Sequence, residues 1–178
     1  MNTHLAQITA GVDQGRWRLD PTRSSVEFHV PNFYGLMSVK GRFASYEGTL
    51  ELGAEPTAQL TIDAASLDTG NARRDKHLRS PDFFDVERHP QVRFTSTNVA
   101  AHGEAIRLHG RLEAGGERIP LELVAALQVV DGELEVEAVT YVDQRRLDMT
   151  FSPLGMVRAP SKLVVRARLV RDEAASLT

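Results

Sequence analysis

The chain has 178 residues, a net charge of −3, 42% hydrophobic and 25% charged residues, and no cysteine. One globular domain accounts for that length. Disulfide frameworks, thiolate nucleophiles and cysteine-based metal sites are excluded, and no excess of cations exists for nucleic acid or an anionic membrane surface.

Residues 1–15 read as a flexible extension, 16–171 as one β domain and 172–178 as a flexible tail. The first residues, Met1 to Ile8, carry no cationic start and no apolar run of leader length. No stretch is long enough to span a membrane as a helix. A cytoplasmic protein is the expectation from the chain as written.

Strand pattern begins early. Val26, Phe28 and Val30 alternate with Ser25, Glu27 and His29, the period of a strand with one wet face. Leu60 and Ile62 alternate with Thr61 and Asp63. Residues 71–78 lose the alternation and carry helix formers, which predicts a short helix or turn. Ser80 and Pro81 then predict an N-cap and the first position of a second brief helix over 82–86. Strand pattern resumes with Val92 and Phe94, then with Ile106, Leu108 and Leu112. It continues through Leu121, Leu123, Ala125, Leu127 and Val129, then Leu134, Val136 and Ala138. The last run is Leu163, Val165, Ala167 and Leu169, opposed by Arg166 and Arg168. Gly115-Gly116 and Asp131-Gly132 predict tight hairpin turns. Residues 144–158 lack strand pattern and, with Ser152-Pro153 and Gly155, predict a loop at a rim.

Roughly eight strands joined by short turns, apolar on one face, give an antiparallel sheet that buries that face by curling on itself. The expected fold is all-β: a barrel of about eight strands with a short helical insertion near 70–87. A barrel of this size either fills with side chains or leaves room for one ligand. Its inward face is Phe28, Val30, Leu60, Ile62, Phe94, Leu108, Leu123, Leu127, Val136, Leu163 and Val165. On pattern alone, a packed core is the ordinary reading of such a stripe.

Three features bear on a site. Phe83 and Phe84 either line the entrance of a cavity or staple the insertion onto the barrel. Phe33, Tyr34, Leu36 and Met37 offer an opposite lip or a dimer contact. Arg74, His77 and Arg79 either grip an acidic head group through charge-assisted bonds or pair with Asp68, Asp75, Asp82, Asp85 and Glu87 to fix a loop across the barrel end. Catalysis finds little support. His77 and His89 with Asp82 and Asp85 are accompanied by no nucleophile elbow, phosphate loop or metalloprotease motif, and their spacing matches no metal site. No catalytic residue and no metal ligand is expected.

The order of residues from Ser66 to Ser96 is unusual: Ser66-Leu67-Asp68-Thr69, Asn71, Arg74-Asp75-Lys76-His77-Leu78-Arg79-Ser80, Asp82-Phe83-Phe84-Asp85, His89-Pro90 and Phe94-Thr95-Ser96. That string resembles the YceI-like family of lipocalin-like lipid-binding proteins. The likeness extends from about Trp17 to Arg171, through Trp17-Arg18-Leu19-Asp20, Ser24-Ser25-Val26-Glu27-Phe28 and Gly41-Arg42-Phe43. The resemblance implies a lipocalin-like barrel whose elongated apolar cavity holds a polyisoprenoid or similar long-chain amphiphile, a quinone or a polyprenyl phosphate among them. It implies no cofactor beyond a bound isoprenoid lipid, and a homodimer. Many family members are exported, unlike the expectation above. Arg23 and Asn32 stand where the family commonly has histidines, and Leu147-Asp148-Met149 where it often has glycine. Two rivals remain: an enzyme acting on a hydrophobic substrate with a His/Asp site near 75–89, and a ligand-free interaction barrel.

Overall fold

The computed structural model describes residues 9–32, 37–149 and 160–173. Its strands are β1 (Gly15–Leu19), β2 (Ser25–Asn32), β3 (Met37–Phe43), β4 (Tyr46–Leu52), β5 (Thr57–Asp63), β6 (Leu67–Asp68), β7 (Gln91–His102), β8 (Ala105–Ala114), β9 (Glu117–Val130), β10 (Glu133–Val142) and β11 (Ser161–Arg171). All belong to one antiparallel sheet, closed where β1 pairs with β4 on one side and β11 on the other. Among the described residues one α-helix, α1 (Ala72–Arg79), interrupts the strands.

Eleven strands fill eight positions because three of them are broken. A 3-10 turn at Pro21–Arg23 separates β1 from β2, and both pair with β11. Ala44 and Ser45 separate β3 from β4, which pair with β2 and β1 respectively. A 3-10 turn at Ala64–Ser66 separates β5 from β6, which pair with β4 and β3. The breaks are hydrogen-bonded. Asp20 and Asp63 accept from the backbone N–H groups of Thr22 and Ala65, and the Tyr46 hydroxyl donates to the Ser24 carbonyl at 2.6 Å.

The two expected hairpins form as two-residue turns. Gly115 and Gly116 lie at φ +58° and +87°, and Asp131 and Gly132 at +53° and +76°. Positive φ at both positions matches the twist of the flanking strands. The second helix expected after Ser80 does not form. Ser80 instead ends α1, its hydroxyl donating to the His77 carbonyl at 2.6 Å. Pro81 drives Ser80 to an extended conformation (ψ 168°). The chain then folds back, the N–H groups of Phe84 and Val86 donating to the carbonyls of Leu78 and Arg79. The stretch expected as a rim loop opens with a 3-10 turn, Gln144–Leu147; Ser152, Pro153 and Gly155 lie outside the described residues.

Inside, the apolar residues form two clusters, one toward each end. The first holds Trp17, Leu52, Leu127 and Leu134. The second holds Val26, Phe43, Ile119 and Leu147. Leu60, Leu121 and Val165 pack against both. Glycines let two phenyl rings lie flat across neighbouring strands: a β-carbon at Gly41 would overlap the Phe28 ring, and one at Gly110 the Phe94 ring and the Thr95 carbonyl.

Outside, charge fastens the first break to β10. Arg23 donates Nε to Asp20 at 2.7 Å and both terminal nitrogens to Glu133 at 2.9 and 3.1 Å. Arg168 donates to Glu133 and to Glu135. The Thr22 and Arg23 donors hold the Asp20 carboxyl down to about 2, against an ordinary value of 3.8. Arg23 and Arg168 lower Glu133 in the same direction.

Two outcomes follow. Gly110→Ala should lower the unfolding free energy by about 1–3 kcal/mol through overpacking; an unchanged denaturant midpoint would show that the Phe94 ring has room to move. A depressed carboxylate stabilises fully above its unfolded pKa and loses that contribution as pH falls through the folded one. Stability should therefore decline as pH drops from near 4 toward 2, and Asp20→Asn should flatten that limb in acid melts monitored by circular dichroism.

Candidate functional site

The barrel encloses a cavity of about 480 Å³. Its walls follow from the period of the strands: inward residues of every strand position face it. Three features keep it open. Small residues occupy the middle of the wall, with Ala125 paired to Ala138 across β9 and β10, and Ala167 beside Val136 on β11. The Phe28 and Phe94 rings lie against their glycines and not across the space. The floor is packed separately: Trp17, Leu52, Leu127 and Leu134 are buried below the cavity and do not line it. The opposite end is the mouth. Arg145 lines the cavity there although its side chain is 66% exposed.

Phe28, Val30, Leu60, Ile62, Phe94, Leu108, Leu123, Val136, Leu163 and Val165 all line this space. Leu127, expected among them, is instead buried in the floor cluster at 5% exposure. It lies two inward steps beyond Leu123 along β9, where the barrel is already closed by Trp17 and Leu134. Phe83 and Phe84 both line the cavity near α1. Phe84 also meets Phe43 edge-on at 6.0 Å, and Phe83 meets the His77 ring at 5.1 Å. The two roles considered for this pair, lining and stapling, are thus held together. Phe33, Tyr34, Leu36 and the side chains of Asn32 and Met37 lie outside the described residues.

The cations of α1 do something the sequence reading did not foresee. β6 is two residues long and pairs with β3 on one side only. Its other edge leaves carbonyls to be satisfied. Arg79 donates to the carbonyls of Ala65 (2.8 Å) and Leu67 (2.6 Å). Arg74 donates to the Thr69 hydroxyl and carbonyl at 2.8 and 2.9 Å. These guanidinium groups stand in for a missing neighbour strand. They reach carbonyls, not the carboxylates expected as their partners. Asp68 pairs with Arg42, and the buried Asp75 accepts from the backbone N–H and hydroxyl of Thr69. Neither Arg74 nor Arg79 nor the exposed His77 lines the cavity.

His89 packs against Gly116 and does not line the cavity either. Among the described residues no cluster of His, Asp or Glu is arranged to hold a metal ion. Arg23, at a position where family members commonly have histidine, sits at the floor end in its ion pairs with Asp20 and Glu133, outside the cavity.

Sequence reasoning placed residues 144–158 at a rim but did not name the residues that line the mouth. Leu147 and Met149 are buried there and line the cavity, with Thr140, Gln144, Arg145 and Ser161. A signal existed for two of them. Thr140 continues the inward series of Val136 and Ala138, and Ser161 precedes the series of Leu163 and Val165. A polar residue at an inward position marks a place where a barrel meets something polar.

The family model for the YceI-like domain matches residues 17–169. The chain belongs to the YceI-like family. It is 42% identical over 91 residues to a UPF0312 protein of Photorhabdus laumondii, covering 49% of this chain and 47% of that one. It is 36% identical over 106 residues to the YceI protein of Escherichia coli O157:H7, covering 57% and 55%. The matched region thus spans about half the length of these curated relatives. The fold is that of Burkholderia cenocepacia BcnA, with a TM-score of 0.77 at 17% identity over 86% of this chain and 99% of that one. It is also that of a polyisoprenoid-binding domain from Saccharophagus degradans, with a TM-score of 0.67 at 17% identity over 88% and 98%. No helix among the described residues is long and apolar enough to cross a membrane.

Arg79→Ala should unpair two carbonyls at the β6 edge and destabilise the domain by about 1–2 kcal/mol. Faster hydrogen exchange confined to α1 and β6 would accompany the loss in a mass-spectrometric exchange experiment. Exchange unchanged across both elements would show that water replaces the guanidinium without cost.

Proposed function

We propose that this YceI-like barrel binds a long-chain, largely apolar lipid of isoprenoid type and shields it from water, with no covalent step. The observation that carries the reading is the largely apolar cavity. Its volume lies within the range of about 300–1,000 Å³ typical of small-molecule sites. At about 24 cal/mol per Å³, leaving 480 Å³ unfilled would forgo on the order of 10 kcal/mol of packing. That is comparable to the whole stability of a domain, about 5–15 kcal/mol. A guest that packs the walls recovers much of it. Each buried methylene contributes about 0.8 kcal/mol gross. A dozen would supply roughly 10 kcal/mol before the costs of ordering the tail and losing translation. The double bonds of an isoprenoid reduce the number of rotors lost on capture. The solved structure of a polyisoprenoid-binding domain with this fold supports the same class of guest.

The floor and the mouth give the guest one orientation. Its tail meets Phe94, Leu108 and Ala125, and its polar end stays with Thr140, Gln144 and Ser161. Neither His77 nor His89 lines the walls a hydrophobic substrate would touch, which favours binding over catalysis at those histidines.

Ala125 is 1% exposed and lines the middle of the cavity. Ala125→Trp should fill that space and reduce uptake of a long-chain prenol by about tenfold or more, a loss of at least ~1.4 kcal/mol, while the thermal midpoint is kept or raised. Fluorescent-prenol titration of delipidated protein, with solvent extraction and mass spectrometry of the protein from its native host, measures both sides. Equal uptake by the variant, or no chain lipid recovered from native protein, would defeat the carrier reading.

A further inference from the structure

The cavity stops short of the barrel's floor, and the strand ladders show where. Trp17 stands opposite Leu50 across β1 and β4. Leu127 stands opposite Val136 across β9 and β10, and Leu134 opposite Leu169 across β10 and β11. In each pair one member lines the void and the other does not. Leu50, Val136 and Leu169 line it. Trp17, Leu127 and Leu134 are 3%, 5% and 0% exposed and belong to the packed cluster behind it. A single ladder pairing therefore separates hollow from solid.

The largest member of that layer is held from outside. Trp17 Nε1 donates to the Asp13 carbonyl at 3.2 Å, and the Arg171 guanidinium lies 5.7 Å from the indole ring centroid. Arg171 in turn donates to the carbonyls of Asp13 and Gln14. The indole is thus fixed by its polar edge and over its face. Close-packed interiors yield little space unless atoms are removed, so a guest pressing on this layer meets a stop. Above it the wall is small: Ala167, beside Val136 on β11, lines the void.

We propose that Trp17, Leu127 and Leu134 form a chain-length stop, which sets how many isoprene units of a linear guest the cavity seats. The inference rests on the lipid-binding reading and adds to it the residues that select by length. A seated unit gains the burial of its carbons; a unit beyond the capacity stays outside the mouth in water and gains nothing. Affinity plotted against chain length therefore climbs and then levels. The position of that break reports the depth of the cavity, whatever polar group ends the chain.

The test uses the delipidated full-length chain and a series of linear prenols that differ by single isoprene units, each read by competition against a fluorescent prenol. Below the break each added unit should tighten binding by about tenfold or more, and above it affinities should agree within about twofold. Leu127→Ala and Leu134→Ala each open space beneath the void. In either variant the first prenol beyond the wild-type break should bind about fivefold tighter than the prenol at the break. A truncated core leucine can cost enough stability to unfold a domain, so Leu127→Phe supplies the opposite arm: it adds atoms at the same place, with the void beside it to take them. There the prenol at the break should lose its advantage over the next shorter one. A wild-type series with no break, or a break that stays in place in every variant that folds, would overturn the stop and leave the lipid reading standing. Failure of every prenol to bind the wild-type chain would overturn both.

Discussion

Everything in this molecule depends on a sheet that must close while its inner surface stays too small to fill the space it encloses. Closure is achieved by the pairing of β1 with β11, and it removes the exposed edges of the long strands. An eight-position barrel can be packed solid by large side chains. Here the middle of the wall carries Ala125, Ala138 and Ala167, and glycines draw the Phe28 and Phe94 rings flat against their neighbours. Large residues are reserved for the floor. Trp17, Leu127 and Leu134 interlock there, so the barrel has a solid base and a hollow upper part. The void is thus written in the distribution of residue sizes along the inward series, not in the strand number.

The charged side chains are deployed around the same constraint. Closing a barrel from broken strands creates backbone groups with no ladder partner. Arg74 and Arg79 satisfy the edge left by the two-residue β6, while Arg23 and Arg168 tie the first break to β10 through Glu133. Exposed ion pairs are worth little singly, so their value lies in position: each sits where a strand has been interrupted. The result is that, among the described residues, one cation lines the cavity, and that one is matched by Asp143. The interior is apolar because the strands alternate. At its mouth Arg145 is paired with Asp143.

Much of this was legible before any coordinates. The alternation of Val26, Phe28 and Val30, of Leu60 and Ile62, and of Leu163 and Val165 gives strands and their inward faces directly, because a period of two admits one assignment. Gly115-Gly116 and Asp131-Gly132 announce their turns by composition. Three things resisted. Ser80-Pro81 carries the same residues that open a helix, and only the preceding α1 shows that they end one. Leu127 has the same inward phase as Leu123, and the pattern says nothing of depth along the barrel axis. The partners of Arg74 and Arg79 are carbonyls, which the sequence spells at every position and therefore distinguishes nowhere. Charge pairing could be guessed from residue types; backbone edges appear only when the strands are placed.

The polar mouth and the solid floor together constrain how a guest is exchanged. A long apolar chain that enters at the mouth would enter tail first, because the far end is packed with Trp17, Leu127 and Leu134. The polar end of such a chain would then stay at the mouth, beside the solvent-exposed Arg145. Release runs back along the same path, so each methylene withdrawn re-exposes apolar wall and apolar chain to water at about 0.8 kcal/mol. An acceptor that presents its own apolar surface at the mouth removes most of that cost, whereas water does not. The same geometry that gives tight capture therefore makes spontaneous loss slow and transfer to another apolar surface comparatively fast, which is the kinetic asymmetry a lipid carrier needs.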